Sequence, residues 1–276
     1  MSGEGFALGG AYSDAEVSED SGRRYDADLE TSSISLGYVH EFDGFNVGIS
    51  VSAVNSEFDS VGTDTNPNVR LESEGDGWIV TVGASKKWEK LEVVALAGSG
   101  ELSFDSSRVN GSFNEKESDY DSSLFFFSVK ALYEVYQSDR VEVRPFLELG
   151  YVSIENDGFK ESNSPDFVTL DDYEDQRPYA ELGLNLQYVG NETFHPYLNL
   201  SVWQDLGDDQ VEIDGTDSVA LPFSIEVPDA VQTLLNAELG FSIKVTDSLN
   251  LGANIGYFAG DNLSGYSGGL SAVFSF

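Results

Sequence analysis

The 276-residue chain sets 14 Lys and Arg against 49 Asp and Glu, a formal charge of −35, with 40% hydrophobic and 12% aromatic residues. That acidity excludes a generic nucleic-acid binder, because phosphate repels it. The absence of Cys excludes disulfides, thiol nucleophiles and Cys-ligated zinc, and no stretch approaches the ~18 apolar residues of a transmembrane helix.

From the N-terminus, Met1-Ser2-Gly3-Glu4 leads straight into patterned sequence, without the charged-then-apolar run of a signal peptide. Alternation of period two then dominates. Phe45, Val47, Ile49, Val51 and Ala53 alternate with Asn46, Gly48, Ser50 and Ser52, and Leu182, Leu184, Leu186 and Tyr188 alternate with Glu181, Gly183, Asn185 and Gln187. Twelve such strands are expected, near 5–13, 30–42, 45–56, 76–88, 91–102, 121–136, 141–155, 174–189, 193–206, 233–246, 249–260 and 264–276. The sole helical candidate is Asp229–Leu235.

The connections alternate in length. Asp43-Gly44, Glu89-Lys90, Ser138–Arg140, Gly190–Glu192 and Asp247-Ser248 read as tight turns. Long loops are expected at 14–29, 57–75, 103–120, 156–173 and 207–232, with one short connection near Gly260–Leu263. Short turns at one end and long loops at the other are the layout of an outer-membrane barrel, turns in the periplasm and loops outside. An even strand number puts both termini on the periplasmic side. The loops are acidic: the 154–175 region carries eight carboxylates against Lys160 alone. They read as a solvated, repulsive surface, and none has the spaced Asp/Asn/Gly ladder of a calcium loop.

Alternation alone leaves open whether the apolar face points in or out. Three features turn it outward. Trp78 and Trp88 share the apolar face of one strand, ten residues apart, which is ~25 Å along the membrane normal and matches the height of a lipid-facing band. Tyr266 and Phe276 repeat that separation, while Tyr188 and Phe194 flank a short turn, so these six aromatics read as two girdles. Second, a closed barrel of twelve strands is too wide to fill with side chains and needs a polar, wet lumen. Third, Leu270, Ala272, Phe274 and Phe276 alternate with Ser271, Val273 and Ser275. This ending resembles the terminal recognition strand read by the outer-membrane barrel assembly machinery.

Hairpin register then sets the expected lumen residues. The Ser138–Arg140 turn pairs Lys130 with Glu148 and Glu134 with Arg144, and the Glu89-Lys90 turn pairs Lys87 with Glu92. Glu181, Asn199, Glu238 and Lys244 fall on the polar faces of their strands. No catalytic constellation is expected. His40 and His195 lie by short turns, away from the outer rim where surface substrates arrive, and no phosphate loop or nucleophile elbow appears.

The chain resembles the translocator β-domain of autotransporters, the type V secretion family. Arg144-Pro145-Phe146, Arg177-Pro178-Tyr179 and His195-Pro196-Tyr197 each sit early in a strand, as basic-Pro-aromatic triplets do in that family. Phe241–Asn250, Gly256-Tyr257 and Ser267–Leu270 are similar to its last three strands. The resemblance implies a monomeric outer-membrane barrel, without enzymatic activity, cofactor or metal, that exports a covalently linked passenger through its lumen. Its implied partners are lipid, lipopolysaccharide and the assembly machinery, with no nucleic acid. Family members thread a helix through the pore before the first strand, whereas nothing helical precedes Gly5. Residues 1–276 are therefore expected to be a single barrel domain, either a segment whose passenger lies elsewhere or a barrel standing alone. Met1 favours the segment, because a mature exported chain has lost its start methionine. The alternatives are a porin-like channel and a surface adhesin.

Overall fold

The computed structural model describes residues 4–17, 25–62, 69–110, 115–162, 167–207, 210–228 and 232–276. All regular elements among them are strands, as period-two sequence dictates. They are β1 (Gly5–Val17), β2 (Tyr25–Phe42), β3 (Phe45–Gly62), β4 (Val69–Trp88), β5 (Leu91–Asn110), β6 (Lys116–Tyr133), β7 (Tyr136–Gln137), β8 (Val141–Asn156), β9 (Phe159–Lys160), β10 (Val168–Leu170), β11 (Tyr173–Tyr188), β12 (Phe194–Asp205), β13 (Gln210–Asp217), β14 (Pro222–Pro228), β15 (Thr233–Thr246), β16 (Leu249–Gly260) and β17 (Leu263–Ser275).

Twelve of these, β1–β6, β8, β11, β12 and β15–β17, form the wall, each antiparallel to the next. The ring closes where β1 pairs with β17, from Gly5 opposite Ser275 to Val17 opposite Leu263. Closure leaves no open edge, so every wall strand is paired on both sides.

The tight turns fall where the sequence places them. Asp43 and Gly44 both have positive φ, 50° and 73°, the conformation a two-residue hairpin needs and Asp-Gly adopts easily. At the Ser138 turn, Ser138 Oγ accepts the N–H groups of Arg140 and Val141. At the next, Asn191 Oδ1 accepts those of Thr193 and Phe194.

The strands overrun the expected bounds at the opposite end. β4 and β5 each have 20 residues, about 65 Å of extended chain. The overrun escapes the alternation pattern because both faces turn polar above the apolar band, as in Arg70-Leu71-Glu72-Ser73-Glu74. Polar cross-strand bonds hold it there: Arg70 to Asp59 at 3.1 Å, and Ser73 to Ser106 at 2.7 Å.

The apolar residues point outward. Ile34, Ile255 and Leu270 are 60%, 61% and 70% exposed, and the buried hydrophobics among the described residues are Ala15 and Phe146 alone. This is the inverse of a soluble sandwich, where one apolar face is buried. Inside, rings lie flat on glycines of neighbouring strands, Tyr179 over Gly150 and Phe146 over Gly183, so that a Cβ at either glycine would collide with the ring.

Three expectations are corrected. Thr233–Leu235, placed in a helical candidate, opens strand β15, while residues 229–231 lie outside the described residues. The expected loops at 156–173 and 207–232 are not wholly irregular: they build a second, four-stranded sheet in the order β14-β13-β10-β9. Finally, β6 stops at Tyr133 instead of running to 136. The β6/β8 register that sets Lys130 opposite Glu148 ends at Leu132 opposite Phe146, and pairing resumes with Tyr136 opposite Val143, shifted by one residue. Glu134 falls in that irregularity and does not face Arg144.

Candidate functional site

The inner face is identified by contacts that skip a strand. Arg144 on β8 donates through Nη1 to Glu92 on β5 at 3.0 Å, although β6 lies between them. In a closed wall, side chains two strands apart converge only on the concave side. Arg144 also donates to Asn185 Oδ1 at 3.1 and 2.9 Å and to Gln187 Oε1 at 3.3 Å, and its Nε lies 3.3 Å from Glu142.

From there the contacts run around the wall. Asn185 Nδ2 donates to Asn199 Oδ1 at 2.6 Å, Asn199 Nδ2 to Glu238 Oε1 at 3.0 Å, and Asn254 Nδ2 to Glu238 Oε2 at 2.8 Å. The result is a polar belt from β5 to β16. Beside it, Lys130 Nζ lies 2.9 Å from Glu148 Oε2 and 4.3 Å from the centre of the Phe146 ring. The Tyr179 hydroxyl donates to the other Glu148 oxygen at 3.1 Å. Lys130, Glu181, Asn185, Asn199 and Glu238 line a cavity of about 350 Å³.

Lys130 and Glu148 meet. Lys87 stands opposite Glu92 in register, but the Glu92 carboxylate receives Arg144 from two strands away. Glu134 is buried beside the irregularity, its N–H donating to the Lys90 carbonyl at 2.8 Å. Glu181 sits across from Glu148 on one side and Trp203 on the other. Asn199 and Glu238 join the belt. Lys244 turns to Asp247 in the adjoining turn at 2.7 Å, and this hydrogen bond holds the exposed Asp247 carboxyl below its ordinary range. The aromatics Trp78, Trp88, Tyr188, Phe194, Tyr266 and Phe276 are all exposed, as are Leu270 and Phe274. Ala272 shares their strand, opposite Leu8.

Glu142, Tyr179, Asn185, Gln187 and Asn254 were not among the expected lumen residues. Their signal was their parity: each is a polar residue in phase with a charged or amide residue already on the inner face.

The opposite wall is built from small side chains. Gly37 pairs with Ser50, Ser35 with Ser52 and Gly48 with Gly83, and Ser52 Oγ donates to Ser35 Oγ at 3.1 Å. The charged belt thus faces a wall of Gly and Ser. Among the described residues no cluster of three or more His, Asp or Glu is poised to hold a metal ion.

A closed antiparallel barrel with an apolar outer face and a charged lumen is an outer-membrane β-barrel. The chain belongs to the autotransporter family: the model of the autotransporter beta-domain matches residues 6–256. It is an outer-membrane translocator barrel. Its fold is similar to the translocator domain of autotransporter NalP from Neisseria meningitidis, with 15% identity and a TM-score of 0.82 over 100% of this chain and 89% of that one. It is also similar to the transport unit of the autotransporter AIDA-I from Escherichia coli, at 13% identity and a TM-score of 0.67 over 99% and 90% of the two chains. The beta domain of the Bordetella autotransporter BrkA follows at 14% identity and 0.64 over 99% and 100%. None of the curated proteins matches the chain in sequence.

Proposed function

We propose that residues 1–276 form one barrel domain that anchors a covalently linked passenger and lets it cross the outer membrane through the lumen. The observation that supports this reading is the segregation of polarity. Charged and amide side chains run from Glu92 through Arg144, Asn185 and Asn199 to Glu238 on the inner face, while Ile34, Ile255 and Leu270 face outward. An extended chain or helical linker in such a lumen keeps its polar groups hydrated. Glu181 adds charge beside the belt, and Lys87, Glu134 and Lys244 add charge near the tight turns. In this orientation the tight turns and both termini lie in the periplasm and the long acidic connections lie outside, against lipopolysaccharide. Trp78 and Tyr266 mark the upper interface, and Trp88, Tyr188, Phe194 and Phe276 the lower. The assembly machinery reads β17 through Leu270, Ala272, Phe274 and Phe276. The barrel performs no chemistry and works as a monomer.

The test is surface display. A tagged reporter joined upstream of Gly5 through a helical linker is expected to become accessible to external protease in intact cells. A reporter that stays periplasmic while the barrel folds normally would refute translocation.

A further inference from the structure

At the end opposite the tight turns the wall keeps the phase of the lumen belt. The β4/β5/β6 register runs unbroken from Lys87, Glu92 and Lys130 to Leu71, Arg108 and Lys116, which stand in one cross-strand row. Each of these lies an even number of residues from its belt-level counterpart, so the row points into the lumen. At the rim of an open barrel such a row would meet water. Here Lys116 is 2% exposed, and Ser73 and Ser118 in the next row are 7% and 9% exposed. The rim is covered from the lumen side.

The cover is the small sheet. Arg108 on β5 reaches past β6 to Glu161, just after β9, and grips it through two parallel bonds of 2.6 and 2.7 Å. This is the same strand-skipping contact that marks the inner face at Arg144 and Glu92. Beside it, the Asp157 N–H donates to the Asp121 carbonyl at 2.9 Å and that of Ser162 to the Glu117 carbonyl at 2.8 Å, so β9 runs along β6. From β9 the sheet continues through β10 and β13 to β14. Laid flat, the six strand spacings from β4 to β14 would span about 29 Å. Yet Leu71 of β4 and Phe223 of β14 line one space of about 640 Å³, together with Arg108, Tyr120 and Tyr173 of the wall. Sharing that space requires the small sheet to curl back over the inner face of β4–β6.

We propose that the small sheet is a lid over the outer mouth of the lumen, latched to the wall by Arg108 and Glu161. The Glu161 side chain is 6% exposed, and its Oε2 also accepts the Val168 N–H at the start of β10, at 2.9 Å, so one carboxylate ties two lid strands to the wall. Asp157 and Asp217 also line the space beneath, and their carboxylates keep it wet. Small solutes pass beside the lid, whereas a polymer passes only when the latch opens. The lid rests on the reading of the lumen as a passage and adds an outer checkpoint to it.

The chain contains no Cys, so Asn236→Cys sets a single thiol in the lumen, in the cavity that Glu238 also lines. Intact cells are treated with a small methanethiosulfonate or with a polyethylene-glycol maleimide, and modification of the thiol is timed. Polymer entry follows the open fraction of the lid. Arg108→Glu, which sets a carboxylate against Glu161, should speed polymer labelling about tenfold or more and change small-reagent labelling less than about twofold. Adding Glu161→Arg to Arg108→Glu should return polymer labelling to the rate of Asn236→Cys alone. The heat-dependent gel shift of the barrel checks the folding of each variant. Equal polymer rates in the three folded proteins, fast or slow, would overturn the lid. If Arg108→Glu fails to fold, the two reagents on Asn236→Cys alone decide the matter: relative to a free thiol in solution, the polymer should lag the small reagent about tenfold or more, and equal relative rates would overturn the lid. Neither readout uses a passenger, so a failed lid leaves the export reading to its own display test.

Discussion

Replacing Arg144 with alanine measures what the lumen belt contributes to stability. The guanidinium donates to Glu92 at 3.0 Å, to Asn185 at 2.9 and 3.1 Å and to Gln187 at 3.3 Å, with Glu142 3.3 Å away. Its removal strips two carboxylates and two amide oxygens of one shared cation. The side chain is 17% exposed and that of Glu142 only 9%, so solvent does not fully replace what is lost. Charges about 4 Å apart interact by ~4 kcal/mol at an effective dielectric near 20 and ~1 kcal/mol in bulk water. A wet lumen lies between these limits, and part of the attraction offsets the desolvation of the ions. Hydrogen bonds to charged groups contribute roughly 1.5–3 kcal/mol net. Arg144→Ala is therefore expected to destabilise the barrel by about 2–3 kcal/mol. Arg144→Lys, which keeps the charge but loses the planar fork, should recover about half of this. The assay is urea unfolding of the refolded barrel followed by tryptophan fluorescence, with Arg140→Ala in the exposed turn as control. An Arg144→Ala midpoint equal to that control would refute the belt as a source of stability. An additive Glu92→Gln/Arg144→Ala double mutant would refute the contact across β6.

Three further outcomes are expected. Lys130→Glu should shift the ion selectivity of the pore in planar bilayers toward cations, because it places a third carboxylate beside Glu148 and Glu181; unchanged selectivity would remove Lys130 from the conduction path. Phe276→Ser should lower the outer-membrane level in cells while leaving refolding in vitro largely intact, since Phe276 is mostly exposed and burying even a whole such side chain is worth only ~1.5–3 kcal/mol; equal levels of mutant and parent would contradict a role in assembly. Gly183→Ala should cost about 1–3 kcal/mol, because the new methyl meets both the Phe146 ring and the Leu200 carbonyl oxygen, and an unchanged urea midpoint would show that neither contact constrains the site.

The barrel was legible in the sequence because period-two alternation is a local signal that a tight turn converts directly into register. Lys130 opposite Glu148 and Lys87 opposite Glu92 follow from counting back from a turn. Counting fails where the ladder slips. Glu134 sits one residue beyond the point where β6 leaves its register, and nothing in Tyr133-Glu134-Val135 announces the irregularity. The strand extensions were missed for a different reason: above the lipid band both faces meet water, so the hydrophobic contrast that defines a strand disappears although the hydrogen bonds continue. The small sheet was readable. Val211 and Ile213 alternate with polar residues, as do Phe223, Ile225 and Val227 between Pro222 and Pro228.

The belt was only half legible, because a closed wall creates neighbours that no hairpin predicts. Arg144 and Glu92 are 52 residues apart and on strands that do not pair; only curvature brings them together. Parity finds the members, and closure decides which of them touch. The same curvature explains why the belt occupies one side. From β5 to β16 the inner face carries long side chains able to span a strand, whereas the middle of β2, β3 and β4 is lined by the Gly37–Ser50, Ser35–Ser52 and Gly48–Gly83 pairs, which have no such reach, and Lys87 stands nearer the tight turn. A chain in transit would therefore run along a smooth Gly and Ser wall. Across from it, the cations Lys130 and Arg144 are already engaged by Glu148, Glu92 and Glu142. A lumen whose cations are already held by its own carboxylates stays polar enough to hold water and offers a passing segment few free cations to bind, which suits it to letting a polypeptide move through.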